Sequence, residues 1–387
     1  METMKLYEKD AYHKTFTAQV QSCRQVGRNC EVILDRTCFY PEGGGQPGDH
    51  GTLGQAQVLD VQIRDGIIQH TADRPLEEGS TVSGEIDWSR RFDLMQQHSG
   101  EHILSGLVHR NFGYDNVGFH MGADVVTVDW NGLLTREDLA ELETQANQVI
   151  WQNRETEIFV PSREELKTLD YRSKKELDWP VRIVRFPGAD TCACCGTHVS
   201  RAGEIGLIKV LSVVRMRHGV RVEMLSGRRA LEYCTRIQEE NHKTSVLLSA
   251  KETQTAAYVQ RLYDEHQALK ARWGALETAH CASIAEQYRD RGDCLLFAEG
   301  LDTNSVRRLA AAVMETCGGK CAVFSRGQDG SYAWCLGEEN GDVRPLVKAM
   351  NQALHGRGGG KPNFAQGAAQ AGKQEIVAFF RDNGFRV

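Results

Sequence analysis

Two histidines four residues apart, in His98-Ser99-Gly100-Glu101-His102, present two imidazoles to one point if the stretch is helical. Cys194 and His198 repeat the four-residue step in Cys194-Cys195-Gly196-Thr197-His198. Three imidazoles and a thiolate suit one four-coordinate zinc ion per chain. Cys192 and Cys195 stay open as competing ligands, because spacing does not separate them from Cys194. The pattern is not that of a zinc protease. There a glutamate directly follows the first histidine, whereas here Ser99 does and Glu101 precedes the second. A zinc that only braces the fold is the rival reading of the same four residues.

The elements that must position these groups can be read from periodicity. Apolar residues Phe92, Met95, Ile103, Leu104, Leu107 and Val108 predict a helix over 91–109 carrying both histidines. Short strand-like runs at 15–20, 29–34, 57–68 and 82–88, with turns between them, predict a small β-barrel over 1–88. Inside it, Gly43, Gly44, Gly45 and Gln46 form either a flexible tip or a loop where a bulky ligand meets bare backbone, with Gln46 as a polar contact. A hairpin over 115–130 places His120 on a strand, as a substrate contact, a base or an exposed residue. Helices are predicted from the Thr135 cap to 153 and over 162–168, a strand over 181–186, and a hairpin over 205–225.

From 227 to 290 there is no proline, and Val259, Leu262, His266, Leu269, Trp273, Leu276, His280 and Ile284 alternate three- and four-residue steps. Such a heptad-like seam serves either an internal helical hairpin or a homodimer through 259–284. A last α/β unit follows, with a glycine run at Arg357-Gly358-Gly359-Gly360-Lys361. Its amides and two cations suit a phosphate-binding concavity; a mobile loop is the alternative. The run lacks P-loop spacing. The expected fold class is α+β: barrel 1–88, zinc-containing domain 89–230, helical linker 231–290, α/β domain 291–387.

Composition narrows the class. A net charge of −6 excludes a surface that is basic throughout and leaves room for a local RNA-binding patch. No run of 18 or more apolar residues exists, so no membrane partner is expected. The first residues lack the apolar core of a signal peptide, and the 12 scattered cysteines fit free thiols in the cytoplasm.

The pair His98/His102 followed by Cys194/His198 resembles the editing domain of alanyl-tRNA synthetase and of the AlaX-type alanyl-tRNA editing proteins. The loop at 43–49, Gly203-Glu204-Ile205-Gly206 and Gly219-Val220-Arg221-Val222-Glu223 are also similar to that family. The run at 356–361 resembles the tRNA-binding C-terminal domain of the same synthetase, and the long form of AlaX is the nearest arrangement. The resemblance implies hydrolysis in trans of tRNA(Ala) mischarged with serine or glycine. It implies zinc on His98, His102, Cys194 and His198, and substrate contacts at 43–46. His98, His120 and Gln46 become candidate catalytic residues, and Arg357 to Lys361 candidate tRNA contacts. In that family a glutamine usually stands where His120 does here. The rival functions are a non-enzymatic zinc-containing RNA-binding protein and a phosphoesterase. The second is disfavoured because no aspartate-rich two-metal cluster is present.

Overall fold

In the computed structural model, which describes residues 2–173 and 177–387, the chain forms two compact units, Met1–Lys243 and Thr244–Val387. Among the described residues no helix is long and apolar enough to cross a membrane.

The first unit opens with β1 (Met4–Lys5) and α1 (Leu6–Lys9). Strands β2 (Thr15–Val26), β3 (Asn29–Leu34), β4 (Arg36–Thr37), β5 (Gly51–Leu53), β6 (Ala56–Arg64), β7 (Ile67–Ala72) and β8 (Thr81–Ile86) follow. Six of them close a ring in the order β2-β3-β7-β6-β5-β8, while β4 pairs with β1. Alternation explains the ring. Phe16, Ala18 and Val20 of β2 and Cys30, Val32 and Leu34 of β3 are all buried, and their neighbours face out. Each fully buried valine or isoleucine, such as Val32 or Ile68, contributes roughly 1.5–3 kcal/mol.

His70 is a polar exception inside the barrel. Its Nδ1 donates to the Val32 carbonyl at 3.1 Å, and Nε2 faces the Thr37 hydroxyl at 2.9 Å. Burial pushes its imidazole down to about 4, against the hydrogen bond to Val32, which raises it. The unfolded chain therefore binds a proton here that the folded chain refuses. The stabilisation is complete above the ordinary histidine value of about 6.5 and is lost as pH falls toward 4. At pH 5 the loss amounts to about 2 kcal/mol. Urea unfolding at pH 7.5 and pH 5 should show that extra loss in the wild type and not in His70→Gln; equal losses in the two proteins would refute it.

Helix α2 (Trp88–Phe112) runs longer at both ends than its apolar pattern predicts. Asp87 caps it by accepting from the Arg90 amide, and Gly113 in the left-handed region ends it. Almost every residue from Arg91 to Val108 is buried, so the helix has no solvated stripe. Its polar residues are paired instead. Gln97 exchanges hydrogen bonds of 2.7 and 2.8 Å with the Ser226 backbone. Arg91 reaches Asp49 and the carbonyls of Ala11 and Cys38.

Around α2 the chain places β9 (Asn116–Met121), β10 (Val126–Trp130), α3 (Arg136–Gln152), β11 (Glu157–Phe159) and α4 (Arg163–Thr168). Next come β12 (Ile183–Phe186), β13 (Asp190–Ala193), β14 (Ile208–Met216), β15 (Gly219–Ser226) and α5 (Gly227–Leu248). Thr135 with Asp138, and Ser162 with Glu165, form the capping boxes that start α3 and α4. One antiparallel sheet has the order β14-β15-β10-β9 and another β11-β12-β13.

The second unit contains α6 (Thr255–Gln287), β16 (Cys294–Phe297), α7 (Thr303–Met314), β17 (Lys320–Arg326) and β18 (Tyr332–Glu338). It ends with α8 (Arg344–Ala353), β19 (Arg357–Lys361), β20 (Phe364–Ala369) and α9 (Lys373–Asp382). The sheet order is β16-β17-β18-β20-β19. The stretch read as a linker over 231–290 is thus divided. Cys281 and Ala285 of α6 join the core formed with Val306, Ala310 and Val313 of α7, while α5 begins in the first unit.

Two expectations change here. The seam is not covered by an internal hairpin: Val259, Leu262, Leu269 and Trp273 are 48%, 55%, 64% and 69% exposed. The glycine run is neither a mobile loop nor a concavity. It is β19, the exposed edge strand, paired antiparallel with β20 from Arg357↔Ala368 to Lys361↔Phe364. Packing selects the glycines. A Cβ on Gly358 would lie 2.6 Å from the Trp334 ring, so the strand passes over a tryptophan that any side chain would strike.

Candidate metal centre and its cleft

α2 and the turn after β13 carry the four donors to one place. His98, His102, Cys194 and His198 offer ligand atoms that all lie within 4.8 Å of one another. The Cys194 Sγ is 3.5 Å from His98 Nε2 and 3.4 Å from His198 Nε2. A tetrahedral zinc with ordinary Zn–S and Zn–N bonds separates sulfur and nitrogen by about 3.6 Å. Both Cys194–imidazole separations match that spacing, and the chemistry of the four donors suits zinc.

Each ring is aimed by its other nitrogen. Gln46 Oε1 can only accept, and it already receives the Thr197 amide at 3.2 Å; His98 Nδ1, at 2.9 Å, must donate to it. Asp190 Oδ2 likewise fixes the Nδ1–H of His102 at 2.9 Å, and Arg172 grips the same carboxylate at 2.8 and 2.9 Å. His198 Nδ1 faces the Ser99 hydroxyl at 3.4 Å. All three Nε2 atoms are thereby left for a cation, the usual arrangement around a bound metal. Gly196 stays small because a Cβ there would strike the His98 ring.

The electrostatics separate the three cysteines. Burial raises the Cys194 thiol, but the His98 and His198 imidazoles and hydrogen bonds from His102 and His198 hold it well below its ordinary value. Burial pushes Cys192 up to about 11 and raises the exposed Cys195 as well. Cys194 is the thiolate of the four-donor cluster, and Cys192 sits with His102 and Asp190 in an adjoining group. Burial pushes His198 well below the imidazole range, helped by charge on His98. Burial also opposes charge on His102, yet its hydrogen bond to Asp190 and its contact with Cys194 hold it well above that range.

The cluster opens on a cleft of about 500 Å³ in the first unit. His98, His102 and Cys194 line it, with Gly43 and Gly44 on one side and Asn116 and Phe119 of β9 on another. Glu101 also faces it, 4% exposed, and binds Ser105 Oγ and Asn116 Nδ2. Asn116 Oδ1 is buried and has no hydrogen-bond partner among the described residues.

Three site expectations need correction. Gln46 does not contact the cleft; it is fully buried behind His98, its Nε2 donating to Thr197 Oγ1 at 2.8 Å. Gly45 does not line the cleft either. With φ at +87° it turns the loop against β9, where a Cβ would lie 2.7 Å from the Phe119 ring. His120 is exposed, opposite Thr127 in the β9–β10 ladder, and does not line the cleft. Its neighbours Asn116 and Phe119 do. Asp190, Arg172 and Asn116 were not singled out by spacing, for they share no motif with the residues they serve. Thr197 and Ser99 lay inside the motifs unread.

Gln46→Leu should keep all four donors but free the His98 ring. A metal competition titration is expected to show affinity lowered roughly 10–100-fold. Unchanged affinity would mean that the hydrogen bond does not hold the ring.

A lowered thiol and three aimed imidazoles stand at one end of an open cleft, with a strand-built ring in the same unit. Residues 3–90 match the family described as tRNA synthetases class II (A), and these residues are the barrel. Residues 181–223 match the threonyl and alanyl tRNA synthetase second additional domain, which brings Cys194 and His198. Residues 292–382 match the DHHA1 domain. An alanine–tRNA ligase of Ignicoccus hospitalis is 34% identical over 69% of this chain and 31% of its own length. One of Pyrobaculum neutrophilum is 30% identical over 98% of this chain and 44% of the ligase. The alanyl-tRNA editing protein Aarsd1 of Mus musculus is 28% identical over 97% of each chain. The chain spans less than half the length of these ligases and nearly all of the editing protein. It belongs to the AlaX-like family of alanyl-tRNA editing proteins.

Proposed function

We propose that the chain hydrolyses the ester of tRNA(Ala) mischarged with serine, and with glycine as the weaker substrate, at the cleft above His98, His102, Cys194 and His198. The observation that carries this reading is the convergence of three oriented imidazoles and a lowered thiol on an open cleft that also holds an unpaired acceptor. His98, His102, Cys194 and His198 would hold zinc, which would supply positive charge beside the ester as negative charge develops there.

The chain's own groups handle selection. Alanine and serine differ by one hydroxyl, which a synthetic site of fixed size discriminates poorly. Here Glu101, His102 and Asn116 line the cleft, and the buried Asn116 Oδ1 has no hydrogen-bond partner among the described residues. A seryl hydroxyl gives that acceptor its hydrogen bond; an alanyl methyl leaves it unpaired, at a cost of about 1–3 kcal/mol. Gly43 and Gly44 leave backbone bare for the terminal adenosine at the rim. Arg357 and Lys361, on the exposed edge strand β19, serve tRNA phosphates.

A second reading has one observation behind it: four protein donors already complete a tetrahedral shell, as in zinc sites that only brace a fold. The test is ester loss from Ser-tRNA(Ala), Gly-tRNA(Ala) and Ala-tRNA(Ala) with zinc-loaded protein. Serine release well above background, with alanine spared, is the expected result. No release from any of the three would leave a zinc-containing RNA-binding protein.

A further inference from the structure

The second unit has a cleft of its own, about 440 Å³, lined by Trp273, Leu276, Glu277 and His280 of α6, by Leu301, and by Ser305 of α7. Nothing in the editing chemistry uses it. Trp273, Leu276 and Leu301 form its apolar part and His280, Asp302 and Ser305 its polar part, with Trp273 69% exposed. The Glu277 side chain is only 10% exposed. One of its oxygens, Oε2, pairs with Arg308 at 3.0 Å; the other, Oε1, is buried without a hydrogen-bond partner among the described residues. An unpaired carboxylate oxygen in such a cleft carries a standing desolvation penalty that a ligand donor relieves.

We propose that this cleft binds a single unstacked nucleobase, stacked on Trp273 and donating an N–H to Glu277 Oε1. The ligand must be flat, to lie against indole and leucine, and must carry a donor on its edge. Arg308 already balances the carboxylate, so a neutral donor fits better than a second cation. Splayed bases of single-stranded or looped RNA are read this way, by aromatic stacking and edge hydrogen bonds. The exposed cations Arg272, next in sequence to Trp273, and Arg307, two residues after Ser305, supply charge for the flanking phosphates. Cytosine, adenine and guanine each present an amino donor, and acidic side chains commonly accept from the cytosine amine. Uracil presents its ring N–H between two carbonyl oxygens that a carboxylate repels. The cleft should therefore prefer cytosine over uracil.

This site rests on the reading of the chain as a tRNA-handling protein, and its test is separable from that reading. Short fluorescent oligo(C) and oligo(U) RNAs are titrated with the full chain by anisotropy. Oligo(C) should bind about tenfold tighter than oligo(U). In Glu277→Gln the single amide oxygen is taken by Arg308 and an amine faces the cleft, so the cytosine preference should vanish. Trp273→Ala should weaken both oligonucleotides about tenfold. An unaltered preference in Glu277→Gln, with native thermal melting, overturns the proposal. So does a dimer by sedimentation that Trp273→Ala dissociates without changing RNA affinity; the face would then be a homodimer seam through 259–284. Ester hydrolysis on an aminoacylated minihelix reads the editing centre alone. Its failure with the cytosine preference intact overturns the editing reading and leaves the nucleobase site standing.

Discussion

Cys194→Ala is expected to reduce bound zinc from one equivalent per chain to near zero and to lower serine-ester hydrolysis at least ~100-fold, beyond what loss of an outer partner costs. The reason is position as much as chemistry. Cys194 Sγ lies within 3.5 Å of two imidazole Nε2 atoms, and its thiol is held well below its ordinary value by the histidines around it. Without it, three imidazoles converge with no anionic donor among them. Cys192→Ala is the control, because that thiol is pushed up to about 11 by burial and lies in the adjoining group. Elemental analysis beside the ester assay separates the readings. Stoichiometric zinc in Cys194→Ala would remove the thiolate from the ligand set. Zinc lost with turnover kept would make the metal a structural brace.

The second large effect is on stability. Asp49→Ala is expected to cost on the order of 3–5 kcal/mol, a large part of the whole stability of a domain. Asp49 and Arg91 are both fully buried and face each other through paired hydrogen bonds. Removing the carboxylate strands a guanidinium with only the Ala11 and Cys38 carbonyls for partners. The same carboxylate accepts the Tyr40 amide at 2.6 Å, so the glycine-rich loop loses its anchor together with the first turn of α2. Urea unfolding measures the loss. Asp49→Asn, which keeps an acceptor for Tyr40, should lose less than Asp49→Ala; a cost below about 1 kcal/mol for Asp49→Ala would show that solvent reaches Arg91.

Much of this was readable in advance, for local reasons. The barrel strands alternate, so period two exposed them. The Thr135 and Ser162 caps announced α3 and α4. What escaped had no local signature. α2 is buried on all sides, and its polar Gln97 and Arg91 are satisfied by Ser226 and Asp49, far away in the chain. The run 357–361 read as a phosphate-binding concavity or a loop, since whether a glycine takes extended backbone depends on what lies beneath it, here Trp334 under Gly358.

By itself, the sequence determined the donor types and their four-residue steps, because a helix or a tight turn converts spacing directly into proximity. It therefore named His98, His102 and His198, with Cys194 as one of three candidate thiols. It did not determine which thiol joins them, nor that Gln46 stands behind His98 while Asn116, not His120, faces the cleft. Those choices were made by tertiary structure. Whether a side chain looks into a cleft or into the core is set by the packing of distant segments, and a buried polar atom takes whatever partner that packing brings.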